Sequence, residues 1–212
     1  MLKKYKDHVE ERLQQGIPPL PLNAEQVADL VELLKSPPAG EEEFILDLIK
    51  NRTPAGVDPA AYVKAAFLTA LAKGETSSPL IDKKLATELL GTMLGGYNVE
   101  SLIKLLKDEE VGAIAADGLS KTLLMFNAKH EVIELAAENE NAKRVVESWS
   151  NGEWFTSKSK LPEVIKAIVF RVDGEINTDD FSPAQDAPSR PDIPLHALAM
   201  LKKNMEDPIG TI

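Results

Sequence analysis

The sequence contains no cysteine, and this absence excludes several kinds of chemistry. A chain of 212 residues without a thiol has no disulfide framework, no thiolate nucleophile, and no cysteine-bound zinc or iron-sulfur cluster of its own. It also lacks any run of ~18 to 20 apolar residues that could cross a membrane. The charged first residues, MLKKYKDHVEERL, lack the apolar stretch of an export signal. We therefore expect a soluble, cytoplasmic protein without a membrane partner.

Basic side chains are in the minority. The 24 Lys and Arg residues face 34 Asp and Glu residues, which gives a net charge of −10. Such a chain repels polyanions unless it carries a local basic patch. The short lysine groups at residues 3–6 and 158–160 are typical of a solvated surface. Nucleic acids are therefore expected to be poor partners.

Proline is absent between Pro79 and Pro162, so this stretch permits helices packed on helices. Apolar residues recur there at helical spacing, in stripes formed by Leu85, Leu89, Met93 and by Ala142, Val145, Val146, Trp149. The pattern predicts about seven to nine short helices over residues 1 to about 155, and no strand. Such helices form either a stacked, HEAT-like array or a compact orthogonal bundle.

Helix boundaries can be predicted from capping residues. Asn23 followed by Gln26 is a capping box, and Asp58 before Pro59 is a second start signal. The helix that starts there is expected to end at Lys73–Gly74. Asn98, after the helix break at Gly95–Gly96, starts another helix.

The composition changes after residue 156. The β-branched run VIKAIVFRV at Val164–Val172 predicts a strand. A polar loop over Asp173–Pro194 and an apolar helix over Leu195–Leu201 follow. A single strand leaves both of its backbone edges unpaired. Residues 157–212 are therefore expected either to pack on the helical part or to begin a larger domain.

Candidate functional residues concentrate in the loop that follows this strand. An aspartate of Asn177–Ala184 can orient an imidazole, and Arg190 can bind a carboxylate through its planar guanidinium. Composition alone favours a simpler interpretation, in which the loop is a turn held by Asx hydrogen bonds. His8 and His130 lie next to acidic residues and are expected to be solvated, so we predict no metal ligands in this chain.

Several stretches carry a family resemblance. They are Ala28–Phe44, Leu89–Asn98, Thr178–Ala184 and Ser189–Leu201. On these residues the chain, from Leu2 to about Leu201, resembles the amino-terminal part of the bacterial B-type aconitases. The resemblance implies a mainly α fold: a HEAT-like helical domain (α-α superhelix) at 1–156, followed at 157–212 by the first strand, loop and helix of an α/β swivel domain.

The resemblance also implies roles for two residues. Arg190 matches the swivel arginine that contacts a substrate carboxylate, and Asp179 matches the aspartate that pairs with a histidine of the catalytic domains. Ile176 and Pro188 depart from the family pattern, which has Thr and Trp there. The 4Fe-4S cluster that binds citrate or isocitrate is held by cysteines of the remaining domains, so this chain has no cofactor of its own.

Two functions follow as expectations. In the first, the chain is the amino-terminal fragment of an aconitate hydratase that also dehydrates 2-methylisocitrate, is inactive alone, and has the remaining catalytic domains as its partner. The family associates the HEAT-like domain with dimerisation, with a substrate tunnel and with binding of messenger RNA. In the second, the chain is a stand-alone helical module for protein or RNA interaction without catalysis.

Overall fold

The protein is mainly α-helical. The computed structural model describes residues 1–15, 19–93, 95–122, 125, 128–157, 160–189 and 196–211. Its α-helices are α1 Leu2–Gln14, α2 Ala24–Lys35, α3 Glu42–Asn51, α4 Pro59–Ala72, α5 Lys83–Gly91, α6 Val99–Leu105, α7 Gly112–Lys121, α8 Lys129–Leu135, α9 Glu140–Ser150, α10 Glu153–Thr156, α11 Thr178–Phe181 and α12 Pro208–Thr211, with a 3₁₀ helix at Ala184–Ser189. None of the described residues forms a β-strand. The predicted mainly α fold class is confirmed.

The chain divides into two compact units. The helical unit comprises Leu22–Ser159, and the terminal unit comprises Met1–Pro21 together with Lys160–Ile212. The terminal unit is therefore discontinuous in sequence, because α1 belongs to it and α2 to α10 do not.

The helix starts that were predicted from capping residues are formed by local hydrogen bonds. The Asn23 side chain accepts the Gln26 backbone N–H at 2.9 Å, and the Gln26 side chain accepts the Asn23 N–H at 3.0 Å. Asp58 Oδ1 accepts the N–H of Ala60 at 2.7 Å. Gly74, with φ of +73°, follows α4 in the left-handed conformation that glycine adopts most readily.

Asn98 precedes α6 as predicted, but its side chain does not cap that helix. The residue is fully buried and its backbone is already helical, with φ −85° and ψ −23°. Its Nδ2 instead donates to the carbonyl oxygen of Leu90 at 2.7 Å. The side chain therefore links the start of α6 to the end of α5. A buried amide needs a hydrogen-bond partner, and the carbonyl oxygen of Leu90 provides one.

The helical unit is built from helices that pack on near neighbours in sequence. α2 packs against α3 and α4, α4 against α5, α5 against α7, and α7 against α9. In addition, α6 packs on α7, and α8 packs on α9. This order of contacts is typical of a stacked helical array. Its largest fully buried side chains are Leu22, Leu30, Leu34, Ile45, Leu48, Ile49, Leu68, Ile81, Leu90, Met93, Leu102 and Leu106.

Two glycines allow α5 and α7 to approach closely. A Cβ added at Gly118 would lie 2.9 Å from the Cα of Gly91, and one added at Gly91 would lie 3.0 Å from the Cα of Gly118. These contacts are backbone to backbone, so rotation of a side chain cannot relieve them. Both positions therefore require glycine for this helix crossing.

A lysine is buried in the otherwise apolar interior around α4. Lys64 is only 4% exposed, and its Nζ donates a long hydrogen bond of 3.4 Å to the carbonyl oxygen of Lys50. Burial disfavours the ammonium form and lowers the pKa of Lys64 from 10.5 to about 8. The long stem contributes apolar packing, while the charge opposes folding.

In the terminal unit, α1 is fastened to the segment that follows it. The hydroxyl of the buried Tyr5 donates to the carbonyl oxygen of Leu20 at 3.0 Å, and the N–H of Leu20 donates to Nε2 of His8 at 3.0 Å. His8 is half-buried, and sequence reasoning did not predict the backbone hydrogen bond that its ring accepts. His130 is exposed as expected.

The strand predicted over Val164–Val172 is not formed, although all its residues are described. Its apolar side chains are exposed, and Ile168 is 97% accessible. A strand is stabilised by hydrogen bonds to a neighbour, and no described segment pairs with this one. The segment has strand propensity, but the part of the chain that the structure describes supplies no partner strand.

The close approach of α5 and α7 predicts the effect of Gly118→Ala. This change would stabilise an ordinary helix by about 1 kcal/mol. Here we expect the free energy of unfolding to fall by about 1 to 3 kcal/mol, because the new methyl group overpacks the contact with Gly91. Urea unfolding followed by circular dichroism measures the change. Lys121→Ala, at an exposed position of the same helix, is the control, and equal stability of Gly118→Ala and the parent would contradict the prediction.

The buried ammonium of Lys64 predicts a dependence of stability on pH. Because the folded pKa of about 8 lies below the ordinary value of 10.5, the unfolded chain binds more protons between these two values. The contribution of Lys64 to the free energy of unfolding therefore rises with pH across this window, by about 3 kcal/mol in total.

Lys64→Met removes this titration. We expect the variant to be more stable than the parent below pH 8 and to lose the rise between pH 8 and 10.5, as measured by urea unfolding at a series of pH values. Lys84→Met, at an exposed position of α5, should run parallel to the parent. If the free energy of unfolding of Lys64→Met also follows that of the parent at every pH, the prediction is wrong.

Candidate functional site

The polar loop expected to carry function folds into a capped turn at α11. Asn177 Oδ1 accepts the N–H of Asp179 at 2.8 Å. Asp180 Oδ2 accepts the N–H of Asn177 at 2.8 Å. The side chains of Asn177 and Asp180 therefore satisfy backbone donors that a helix start would otherwise leave open.

The two neighbouring aspartates of α11 have different surroundings. Asp180 uses its carboxylate in the cap, and its carbonyl oxygen accepts the N–H of Leu201 at 2.7 Å. The Asp179 side chain is exposed, and within the described part of the chain no hydrogen bond or ion pair reaches its carboxylate. Of the two, only Asp179 presents a carboxylate that is available to another molecule or domain.

A second segment, His196–Lys202, lies against α11 and the 3₁₀ helix. Ser182 Oγ and His196 Nε2 are 2.9 Å apart. Leu195, the first residue of the helix predicted over Leu195–Leu201, lies outside the described residues. Of the rest, His196 and Ala197 are helical and residues 198–201 form turns. Leu201 has a φ of +56°, a conformation that non-glycine residues rarely adopt and that neighbouring contacts must hold.

A buried ion pair joins the same two segments. Lys202 Nζ lies 2.5 Å from Oδ2 of Asp186, and the Asp186 side chain is only 2% exposed. A charged hydrogen bond in such surroundings is strong, and loss of either partner leaves a buried charge behind. The pair therefore fixes the position of the 3₁₀ helix relative to Lys202.

The sequence identified only part of this arrangement. Asp179 lies on the capped turn, as described above, whereas Arg190 lies outside the described residues. Sequence reasoning missed the roles of Ser182, Asp186 and Lys202. Asp186 and Lys202 are 16 residues apart, so no local spacing signals their pairing. His196 fell within a stretch that carries the family resemblance, but nothing in the pattern indicated its contact.

The main charged cluster of the helical unit is structural. Lys83 Nζ donates to Asp108 at 2.8 Å, and Asp108 Oδ1 accepts the backbone N–H groups of Glu110 and Val111. The hydrogen bond from Lys83 lowers the pKa of Asp108, and the same bond raises the pKa of Lys83. This cluster connects the start of α5 to the turn before α7. Its charged groups are used in these structural bonds, so we assign it no catalytic role.

The helical unit also contains a cavity of about 330 Å³ lined by aromatic and polar residues, among them Trp149, Trp154, Phe155, Lys129 and Glu153. Trp149 is oriented by a hydrogen bond from its indole N–H to the carbonyl oxygen of Leu119, at 3.2 Å. The cavity has the size of a small-ligand pocket. The positive charge of Lys129 is balanced by the negative charge of Glu153, so this lining does not favour a ligand with several negative charges.

The described residues offer no metal centre. Among them, no group of three or more His, Asp or Glu side chains is placed to hold a metal ion. The full sequence has no cysteine and cannot supply thiolate ligands. None of the described helices is both long enough and apolar enough to cross a membrane.

Two family models match the sequence. The model described as the aconitate B N-terminal domain matches residues 4–155, and the model described as the aconitate hydratase 2 N-terminus matches residues 167–212. Together these matches cover most of the helical unit and the residues around Asp179.

Curated relatives are similar along nearly the whole chain. Aconitate hydratase B of Pseudomonas aeruginosa is 64% identical over 95% of this chain and 23% of its own length. Aconitate hydratase B of Escherichia coli is 60% identical over 97% of this chain and 24% of its own. The Synechocystis protein of the same name is 56% identical over 100% of this chain and 25% of its own. The chain thus spans about a quarter of the length of these relatives.

Proposed function

Because this chain belongs to the aconitate hydratase B family, we propose that it forms the amino-terminal part of an enzyme that interconverts citrate and isocitrate through cis-aconitate. The similarity along nearly the whole chain carries this proposal. The same enzyme would dehydrate 2-methylisocitrate. The cytoplasmic location expected from the sequence is part of the proposal.

Asp179 is proposed to orient a histidine of the remaining catalytic domains. The supporting observation is its exposed carboxylate, which has no partner among the described residues. A carboxylate that accepts a hydrogen bond from one imidazole nitrogen fixes the ring and its tautomer. The cap formed by Asn177 and Asp180 supports this role, because it holds the backbone on either side of Asp179.

Arg190 is proposed to bind a carboxylate of the substrate. A planar guanidinium can donate two parallel hydrogen bonds to one carboxylate, which both attracts and orients a tricarboxylate. This role rests on the sequence resemblance. Asp179 and Arg190 would then contribute one anionic and one cationic group to a site completed by other domains.

The iron-sulfur cluster of the family does not fit the residues of this chain. Its thiolate ligands are missing from the sequence, and the described residues contain no alternative cluster of metal ligands. The isolated chain is proposed to be inactive, and the cluster to be held by the remaining domains.

Residues 1–156 are proposed to form a HEAT-like domain, and residues 157–212 the beginning of a swivel domain. The order of helix contacts supports the first assignment for α2 to α10, whereas α1 belongs to the terminal unit. We propose that the HEAT-like domain takes part in a homodimer contact and in a substrate tunnel. A patch of exposed side chains, Val57, Tyr62 and Tyr97, favours protein contacts, with the two tyrosine rings edge to face at 5.1 Å. The net charge of −10 favours a protein partner over messenger RNA.

A chimera tests the enzymatic proposal. Escherichia coli aconitate hydratase B would carry this chain in place of its own matching segment. We expect citrate to be converted to isocitrate, as followed by the absorbance of cis-aconitate, within about tenfold of the parent rate.

Point variants of this chimera test the two proposed site residues. Asp179→Asn should lower kcat by about 10- to 100-fold, and Arg190→Ala should mainly raise KM for citrate. Asp173→Asn, an exposed carboxylate paired only with the exposed Arg171 among the described residues, should change neither.

A second chimera controls for mismatched domain contacts. The matching segment of the Pseudomonas aeruginosa enzyme would be placed in the same Escherichia coli protein. If that control is active while the folded chimera with this chain is not, the proposal is wrong.

The dimer proposal is tested by sedimentation of the chain over a range of concentrations, with and without ferrous iron. We expect a shift toward twice the monomer mass as concentration rises, and Tyr62→Ser with Tyr97→Ser should weaken it. If the chain stays monomeric at every concentration, the dimer contact is refuted. That result does not by itself support the alternative functions, a stand-alone interaction module or RNA binding.

A further inference from the structure

The helix that carries Asp179 is too short to hold itself in place. α11 has four residues, and an isolated helical turn is unstable in water because its nucleation fixes several dihedral angles for one hydrogen bond. The cap at Asn177 fixes the start of the turn but not its direction in the terminal unit. The direction of the Asp179 carboxylate therefore depends on contacts with other segments.

The end of α11 contacts the segment His196–Lys202 at two points. Ser182, the residue that follows α11, lies 2.9 Å from His196 Nε2 through its hydroxyl oxygen. The carbonyl oxygen of Asp180 accepts the N–H of Leu201 at 2.7 Å. The contact at Asp180 thus lies at the residue directly after Asp179, and the contact at Ser182 lies at the residue directly after α11.

The ion pair between Lys202 and Asp186 holds the same segment from the other side. Asp186 lies in the 3₁₀ helix that begins two residues after Ser182. Its carboxylate is almost fully buried and is 2.5 Å from the Lys202 ammonium. Lys202 follows Leu201, so the pair also secures the left-handed residue whose N–H reaches Asp180.

We propose that His196 and Lys202 are positioning residues for the carboxylate of Asp179. This inference rests on the proposed function, in which that carboxylate orients a histidine of the catalytic domains. His196 acts through the hydroxyl of Ser182 and Lys202 acts through the carboxylate of Asp186. Both act on the backbone of α11 and not on the substrate, because their polar atoms are engaged within the chain.

The experiment uses the active chimera with Escherichia coli aconitate hydratase B. We expect His196→Ala and Lys202→Met each to lower kcat by about tenfold, with KM for citrate changed much less. In the Asp179→Asn background the same two changes should have no further effect on kcat. This failure of additivity is the signature of residues that act through one common group.

Conservative variants separate positioning from general damage. Glutamine at 196 places an amide nitrogen near the position of Nε2, and arginine at 202 keeps the charge, so His196→Gln and Lys202→Arg should recover most of the activity. Lys203→Met, at the exposed neighbouring position, is the matched control and should be unaffected. If Lys202→Met does not fold, the double variant Asp186→Asn with Lys202→Met replaces it, because it leaves no buried charge.

The outcomes distinguish the inference from the function on which it rests. An inactive chimera, with an active Pseudomonas aeruginosa control, refutes the proposed function. Parental activity in Asp179→Asn refutes the role of that carboxylate and the inference together. The positioning role alone is overturned if His196→Ala and Lys202→Met cause no loss, or if they cause equal losses with and without the Asp179→Asn change.

Discussion

The close backbone contact between α5 and α7 at Gly91 and Gly118 is the constraint on which the helical unit depends. α5 and α7 are the middle members of the series that runs from α2 through α4 to α9. A shift of this one crossing would therefore displace the helices on both sides of it. The Leu102 side chain lies beside Gly118, but side-chain packing cannot set the distance of the contact, since only the missing Cβ atoms allow the two backbones to meet.

The terminal unit is held by a different kind of interaction. Its described core contains few large apolar residues, and its main connections are polar: the Tyr5 and His8 bonds to Leu20, the Ser182–His196 contact, and the Lys202–Asp186 pair. Polar contacts depend strongly on direction, so they suit a segment that must present one carboxylate at a defined angle. Packing stabilises the helical unit, whereas directional bonds orient the groups of the terminal unit.

The parts of the fold that could be predicted from sequence are those with local causes. The capping residues Asn23 and Asp58 act on backbone groups within three positions, so their pattern is sufficient to locate two helix starts. Asn98 was correctly predicted to start a helix, but the hydrogen bond from its side chain to Leu90 could not be predicted, because that bond depends on how α5 and α6 pack. The run Val164–Val172 has strand propensity, but pairing requires a second segment, and the pattern contains no information about whether one is present.

The candidate site follows the same division. The Asx turn at Asn177 is local and was anticipated from composition, and the resemblance singled out Asp179 within it. His196 and Lys202 contact partners that are 14 and 16 positions away in sequence. Contacts of this kind depend on the folded path of the chain, so a sequence without a structure does not reveal them. Lys64 is similar, because a lysine in a helix is ordinarily exposed and only packing of α4 made it internal.

The division of the terminal unit into two separate stretches has a consequence for the order of folding. Its first stretch, with α1, is synthesised before the helical unit, and its second stretch only after residue 159. During synthesis the helical unit can therefore mature through contacts between near neighbours, which form rapidly. The bonds from α1 to Leu20 can form at the same early stage, but the terminal unit is completed only when its second stretch has been synthesised.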